Sequence, residues 1–238
     1  KRTLALLTAI IMLASLLAYT RGAGVDSRWA VIPGEPGFFR ITKRIHNALH
    51  GAAGDGGPLG AAEREVYERV VGPSAEEFAR LVSPGDIVLV HDPQPAALVE
   101  PLKRRGAPVV WRLHVGADEI NYRVREAWDF VRPYIAPADR WVFSREAFVW
   151  DGLDRDRVKI IAPSIDVFSP KNQYLHERAV HAILSASGLV SDTIRAAPEY
   201  RREDSTIARV SSRASIVQER SLTLDRRFVL QVSRWDAL

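Results

Sequence analysis

The feature that most constrains the fold is a repeated order of short apolar strands and amphipathic helices in the middle of the chain. Four strand-like runs stand at residues 86–90 (DIVLV), 108–113 (PVVWRL), 140–143 (RWVF) and 158–162 (VKIIA). Helical patterns lie between them, at residues 94–105 and 122–135, with a short one near 146–150. Strands that are apolar along their whole length are typical of parallel sheets covered by helices. This order predicts an α/β fold with a Rossmann-like, mainly parallel sheet and right-handed crossovers.

The elements predicted on either side of this region are less regular. Before it the sequence predicts a short strand at residues 27–32 and two helices at 38–49 and 61–71. A loop at residues 51–60, which contains five glycines, lies between the two helices. After it come a helix at residues 176–187, a polar arginine-rich segment at 191–212 and one more apolar strand at 228–232. Because that last strand begins a new unit close to the end of the sequence, we expect the chain to be a piece of a longer protein.

Composition and motifs exclude several classes of function. The absence of Cys excludes disulfides, thiolate zinc sites and thiol catalysis. The net charge of +4 comes from scattered arginines, so we expect no nucleic-acid partner. The glycine-rich loop lacks the Lys-Ser/Thr of a phosphate-binding loop, and no GxGxxG opens a helix after a strand, so we expect no cofactor. No serine stands in a GxSxG motif, which argues against hydrolases of that kind. His46 and His50 share a helix face, but Asn47 replaces the Glu of HExxH, so we expect no metal.

The start of the chain allows three interpretations. Residues 3–20 carry no charge and follow Lys1-Arg2, as in a signal peptide, although residues 18–21 (AYTR) offer no small-x-small cleavage pattern. The run is barely long enough for a membrane span. A buried helix is the third interpretation, because Leu13 and Leu17 recur at helical spacing before a glycine-containing stop.

Polar side chains follow the predicted strands, where ligands bind in open α/β sheets. The residues that we single out at these strand ends are His91, Asp92, His114, Ser144, Asp166 and Arg234. Such a set of donors and acceptors suits a ligand with many hydroxyl groups. The alternative is local, since Asp92, Ser144 and Asp166 could each cap a helix or stabilise a turn.

The strand-end phrases also resemble a known family. VHDPQP (90–95), WRLHVGAD (111–118), APSIDVFSPKN (162–172) and QVSRWD (231–236) resemble the retaining glycosyltransferases of family 4, in particular the trehalose synthase and trehalose phosphorylase subgroup. The phrases FFRITKRIHNALHG (38–51) and REDSTIARV (202–210) are similar to further motifs of that subgroup. The resemblance extends from about residue 13 to the end of the sequence.

This resemblance implies the N-terminal half of a two-domain GT-B enzyme, truncated at both ends. The implied organisation begins with an atypical apolar start at residues 1–11 and a Rossmann-like acceptor-side domain at 12–172. A helical and polar connecting segment follows at 173–226, and residues 227–238 form the first strand of a nucleotide-sugar-binding domain. The start matches neither the first strand nor the glycine-rich loop of the family. We therefore expect the fragment to be inactive by itself, and we expect a cytoplasmic protein with no membrane association.

The resemblance also implies roles for individual residues. His114 would be the catalytic residue that holds a hydroxyl of the transferred glucose and supports the developing positive charge, partly through its backbone carbonyl. His91 and Asp92 would face the acceptor sugar. Ser144 and Asp166 are predicted to bind substrate from their positions after strands, independently of the resemblance. Arg234 would pair with the donor phosphates.

The implied reaction is a retaining transfer of glucose from a nucleotide-glucose to glucose, which forms trehalose. A trehalose phosphorylase, which would use phosphate to open trehalose, is the first alternative. A sugar-binding remnant without catalytic activity and a hexosyltransferase with another acceptor also stay open. The expected ligands are therefore a nucleotide-glucose or phosphate together with glucose or trehalose, and a homodimer is compatible with the sequence.

Overall fold

The computed structural model describes Leu17 and residues 19–164, 172–202, 205–217, 220, 222–225 and 227. Contacts between Cα atoms divide the chain into two compact units. One unit comprises residues 29–163, and the other comprises the described residues before and after that range.

The unit of residues 29–163 is an α/β fold around one sheet. Its elements are α1 (Pro36–Leu49), α2 (Ala61–Leu81), β1 (Val88–His91), α3 (Val99–Arg104), β2 (Val109–Leu113), α4 (Tyr122–Ile135), β3 (Arg140–Phe143) and β4 (Val158–Ile160). Short 3-10 turns occupy Ala96–Leu98, Glu146–Phe148 and Arg155–Arg157. The four strands are parallel and lie in the order β1-β2-β3-β4. The predicted α/β, Rossmann-like class with a parallel sheet is confirmed.

The core of this unit lies on one face of the sheet. Trp111, Leu113 and Phe143 project from β2 and β3 on that face and are fully buried. They belong to the same apolar cluster as Ile45 of α1 and Tyr67 of α2. Helix α1 reaches this cluster because its apolar side chains recur every three or four residues and so form one stripe.

Two predicted elements of this unit differ in the structure. The strand predicted at residues 27–32 is wrong, because residues 25–35 have no regular structure and Val31 is 47% exposed. Pro33 lacks a backbone donor, and β propensity without a paired neighbour does not form a strand. Helix α2 was expected to end at residue 71 but continues through Pro73 to Leu81, since the following turn is buried at Ser74 and Ala75.

The other unit has fewer regular elements. Helix α5 (Glu177–Ser187) ends at Gly188, whose φ of 80° provides the left-handed stop that the sequence predicts. Strands β5 (Glu199–Arg201) and β6 (Ile207–Arg209) form an antiparallel hairpin in the segment that was expected to be merely polar. The strand predicted at residues 228–232 lies outside the described residues. Within the part of the chain that the structure describes, no helix has the length and apolar character needed to cross a membrane.

Candidate sugar-binding site at the carboxyl ends of the strands

The structure brings three of the predicted site residues together at the ends of β1 and β2. The rings of His91 and His114 stack with their centroids 5.3 Å apart and an interplanar angle of 6°. Asp92 Oδ1 accepts a hydrogen bond from the backbone N–H of His114 at 3.0 Å and lies 3.0 Å from His114 Nδ1. The side chains of Asp92 and His114 are about one-third exposed, so a ligand can reach them.

The backbone of Asp92 adopts a left-handed conformation, with a φ of 65°. Few residues other than glycine tolerate this region, although aspartate is among those that do. Long-range hydrogen bonds hold it there, because Asp92 N donates to Arg112 O at 2.7 Å and Trp111 Nε1 donates to Asp92 O at 3.0 Å. Tyr67 fixes the next residue by donating from its hydroxyl to Pro93 O at 2.8 Å. Tyr67 and Trp111 thus support the site, although their positions in the sequence look like those of ordinary core residues.

The carboxylate of Asp92 contacts His114 and does not cap a helix. The 3-10 turn after Asp92 has no side-chain cap, and neither has the turn after Ser144. The capping alternative is therefore wrong for both residues. Ser144 follows β3 as His114 follows β2, and the pairing of Leu113 with Phe143 places the two residues at the same level of the sheet. Ser144 Oγ is buried and has no hydrogen-bond partner among the described residues.

The electrostatics of the site favour one carboxylate beside a neutral imidazole. Burial opposes ionisation of Asp92, but the hydrogen bonds from the side chain and the backbone N–H of His114 outweigh it, so the pKa of Asp92 is lowered. Burial, reinforced by His114, lowers the pKa of His91 to about 4. His91 is therefore uncharged at neutral pH, and its Nδ1 is buried without a partner in the described part of the chain.

His46 of α1 and His50, which directly follows this helix, lie near these strand ends. The rings of His46 and His50 are 4.9 Å apart. Burial lowers the pKa of both rings, and the charge of Asp92 partly opposes the shift at His46. A hydrogen bond with the backbone of Gly116 partly opposes it at His50. Their spacing in the sequence identified them as two histidines on one helix face, but only the tertiary structure places them beside the strand-end loops. Among the described residues, no group of three or more His, Asp or Glu side chains is arranged to hold a metal ion.

Two loops of this unit are fixed by close packing or by an ion pair. A side chain at Gly116 would clash with the ring of Phe148. The predicted loop of five glycines wraps around Arg44, whose guanidinium pairs with Asp55 at 2.7 Å. This hydrogen bond lowers the pKa of Asp55 to about 2. The glycine-rich loop is therefore organised by an internal ion pair.

Two predicted site residues, Asp166 and Arg234, lie outside the described residues.

Comparison with known proteins identifies the family. A model described as "Trehalose synthase, N-terminal domain" matches residues 9–150, which is more than half of the chain. The chain belongs to this family. The match includes α1, α2 and β1 to β3, with His91, Asp92, His114 and Ser144.

Individual relatives point the same way. The chain is 39% identical over 173 residues to a trehalose synthase of Pyrococcus horikoshii, which covers 73% of this chain and 40% of that protein. It is 34% identical over 180 residues to a trehalose synthase of Rubrobacter xylanophilus, covering 75% of this chain and 42% of the relative. A trehalose phosphorylase of Pleurotus sajor-caju is 23% identical over 242 residues, which covers 95% of this chain and 30% of the relative. The chain thus spans about 40% of the length of the trehalose synthases that it matches.

Proposed function

We propose that this chain is the acceptor-side part of a retaining glucosyltransferase that forms trehalose from a nucleotide-glucose and glucose. The observation that carries the proposal is the cluster of Asp92, His91 and His114 at the carboxyl ends of β1 and β2. One hydrogen-bonded carboxylate beside a neutral imidazole suits a ligand with many hydroxyl groups and no charge. The names of the relatives support trehalose as the product.

Each residue has a distinct task in this proposal. The Asp92 carboxylate accepts hydrogen bonds from hydroxyl groups of the acceptor glucose, and His91 lies beside it as a neutral donor or acceptor. The backbone carbonyl of His114 stabilises the positive charge that develops at the anomeric carbon of the transferred glucose. Ser144 and Asp166 add hydroxyl contacts, and Arg234 pairs with the donor phosphates. A cytoplasmic location and the absence of a nucleic-acid partner remain predictions from the sequence.

Sugar binding tests this proposal directly, because binding can be measured on the 238-residue chain without turnover. Calorimetric titration should show heat on addition of trehalose or glucose. Asp92→Asn should weaken the affinity about 10- to 100-fold, because a hydrogen bond to a charged group contributes about 1.5–3 kcal/mol. Asp151→Asn is the matched control, since Asp151 is exposed and pairs with Arg125. Absence of heat with both sugars, or equal affinity in Asp92→Asn, would contradict the proposal.

Trehalose phosphorolysis is the second candidate function. The observation in its favour is the similarity to a trehalose phosphorylase, which extends over 95% of this chain. Inorganic phosphate would then be a co-substrate. Glucose should bind more tightly in the presence of phosphate if this candidate is correct, and more tightly in the presence of a nucleoside diphosphate if the synthase is correct.

A further inference from the structure

Arg112 contacts the ring of His114 from the side opposite Asp92. It precedes His114 by two residues, so strand geometry places the two side chains on the same face of the sheet. Arg112 Nε donates to His114 Nε2 at 2.9 Å. Since His114 Nδ1 faces Asp92 Oδ1 at 3.0 Å, both nitrogens of the ring have a partner.

These two partners together determine where the ring carries its proton. An ionised carboxylate only accepts hydrogen bonds, so the nitrogen facing Asp92 must be the one with a hydrogen. A guanidinium only donates and stays protonated in proteins, so the nitrogen facing Arg112 must offer a lone pair. A doubly protonated ring would set its Nε2–H against the Nε–H of Arg112. The arrangement therefore selects the neutral ring with its proton on Nδ1.

The guanidinium of Arg112 makes one further hydrogen bond, towards the end of β4. Its Nη2 donates to the carbonyl of Ile161, just beyond β4, at 3.4 Å. In the β1–β2 register, Arg112 is also the direct partner of His91. Arg112 thus stands between both histidines of the site and the end of β4.

We propose that Arg112 is a positioning residue of this site, which fixes His114 as the neutral Nδ1–H tautomer and occupies its Nε2. A sugar hydroxyl that binds Nε2 must donate its own proton and displace Arg112. Before that displacement, the ring has no free nitrogen, and hydroxyl recognition falls to Asp92 and His91. The link to sugars rests on the proposed function, whereas the tautomer does not.

Nitrogen NMR of the imidazole tests this assignment on the full chain without sugar. In ¹⁵N-labelled protein at pH 7.5, two-bond ¹H–¹⁵N correlations report which ring nitrogen is protonated, and His114→Gln assigns the signals. We expect a protonated Nδ1 and an unprotonated Nε2. Arg112→Met removes the donor, so the His114 Nε2 signal should shift at this same pH, because its lone pair loses its hydrogen-bond partner. Arg112→Lys should restore much of the original pattern, because an ammonium group also donates.

The control substitution is Arg140→Met. Arg140 lies on the same face of the sheet in β3, and its guanidinium donates to the carbonyl of Asp139. This change should leave the nitrogen signals of His114 unchanged. A protonated Nε2 in the original chain overturns the proposal, as do identical His114 signals in Arg112→Met. If Arg112→Met does not fold, the His114 signals of the original chain and of Arg112→Lys test the proposal.

Failure of this assignment is distinguishable from failure of the proposed function. A chain with the expected tautomer and no affinity for trehalose or glucose would retain the role of Arg112 and lose the sugar site. A chain that binds trehalose with His114 protonated at Nε2 would retain the sugar site and lose the role of Arg112.

Discussion

At the scale of single residues, the site depends on groups held in states that would be unfavourable in isolation. Asp92 occupies a left-handed backbone conformation because Trp111 and the Arg112 carbonyl hydrogen-bond to it. Such conformations cost about 1–3 kcal/mol and persist only where the surrounding structure enforces them. His91 is kept uncharged by burial. The same surroundings that create the binding groups therefore also make them sensitive to change.

The buried state of His91 predicts how stability depends on pH. Its pKa falls from 6.5 to about 4 on folding, so the unfolded chain binds a proton first as the pH drops. The stabilisation is fully present above pH 6.5 and is lost as the pH falls towards 4, at a cost of about 1–3 kcal/mol. The lowered pKa values of His46 and His50 act in the same direction.

Urea unfolding at pH 7.5 and pH 5 measures this effect. His91→Gln should lose less stability between these two pH values than the original chain does. His181→Gln in α5 serves as the control and should show the original difference. An equal difference in His91→Gln and in the original chain would show that His91 does not contribute to the pH dependence of the free energy of unfolding.

At the scale of elements, hydrogen bonds between distant segments join the strands to the helices. Asp139, just before β3, accepts from the backbone N–H of Val109 in β2 at 2.7 Å. Its carboxylate also pairs with Lys103 of α3 at 2.7 Å. Burial opposes its ionisation, but the hydrogen bond from Lys103 and that from Val109 prevail, so the pKa of Asp139 is lowered. One carboxylate thus connects α3, β2 and the start of β3.

Removal of this carboxylate should destabilise the sheet. Asp139→Ala leaves the Val109 N–H without its partner and should reduce the free energy of unfolding by about 1–3 kcal/mol. Lys103→Met should cost less, about 0–1 kcal/mol, because the ion pair is partly exposed. A double-mutant cycle by chemical denaturation separates the two contributions. Equal losses in both single variants would mean that the ion pair, and not the contact with the backbone N–H of Val109, provides the stabilisation.

Elements also show where prediction from sequence succeeds. Helix α4 and strand β3 have the bounds that periodicity predicts, because each has a strong apolar pattern and clear ends, including the Asn121 cap. Residues 27–32 have strand-forming composition but no regular structure. The hairpin of β5 and β6 was missed because five of its six residues are exposed and carry no apolar alternation. Pairing partners distant in sequence decide such short strands.

At the scale of the whole molecule, burial is distributed unequally between the two units. All of the largest fully buried side chains in the described part of the chain, from Phe38 to Trp150, belong to the unit of residues 29–163. In the other unit the buried apolar residues among those described are Ala182, Val190 and Ala208. Small buried side chains contribute less stabilisation than aromatic ones, since the gain scales with the apolar area removed from water.

Native-state hydrogen exchange should reveal this difference. We expect amides of β2 and β3 to exchange only by global unfolding, and amides of α5, β5 and β6 to exchange through local openings of lower free energy. Mass spectrometry of peptides from each segment measures the free energies of global and of local opening when exchange is followed over a series of low urea concentrations. Equal protection of α5 and β2 would contradict the unequal distribution of stability.

The sequence by itself determined the α/β class and placed His91, Asp92, His114 and Ser144 at the ends of strands. It could do so because hydrophobic periodicity is local and parallel strands all end at one edge of the sheet. Only the tertiary structure decided that Asp92 and Arg112 enclose the His114 ring, and that His46 and His50 approach the same edge. These contacts depend on strand register, helix packing and burial, which arise between residues far apart in the chain and leave no local pattern in its sequence.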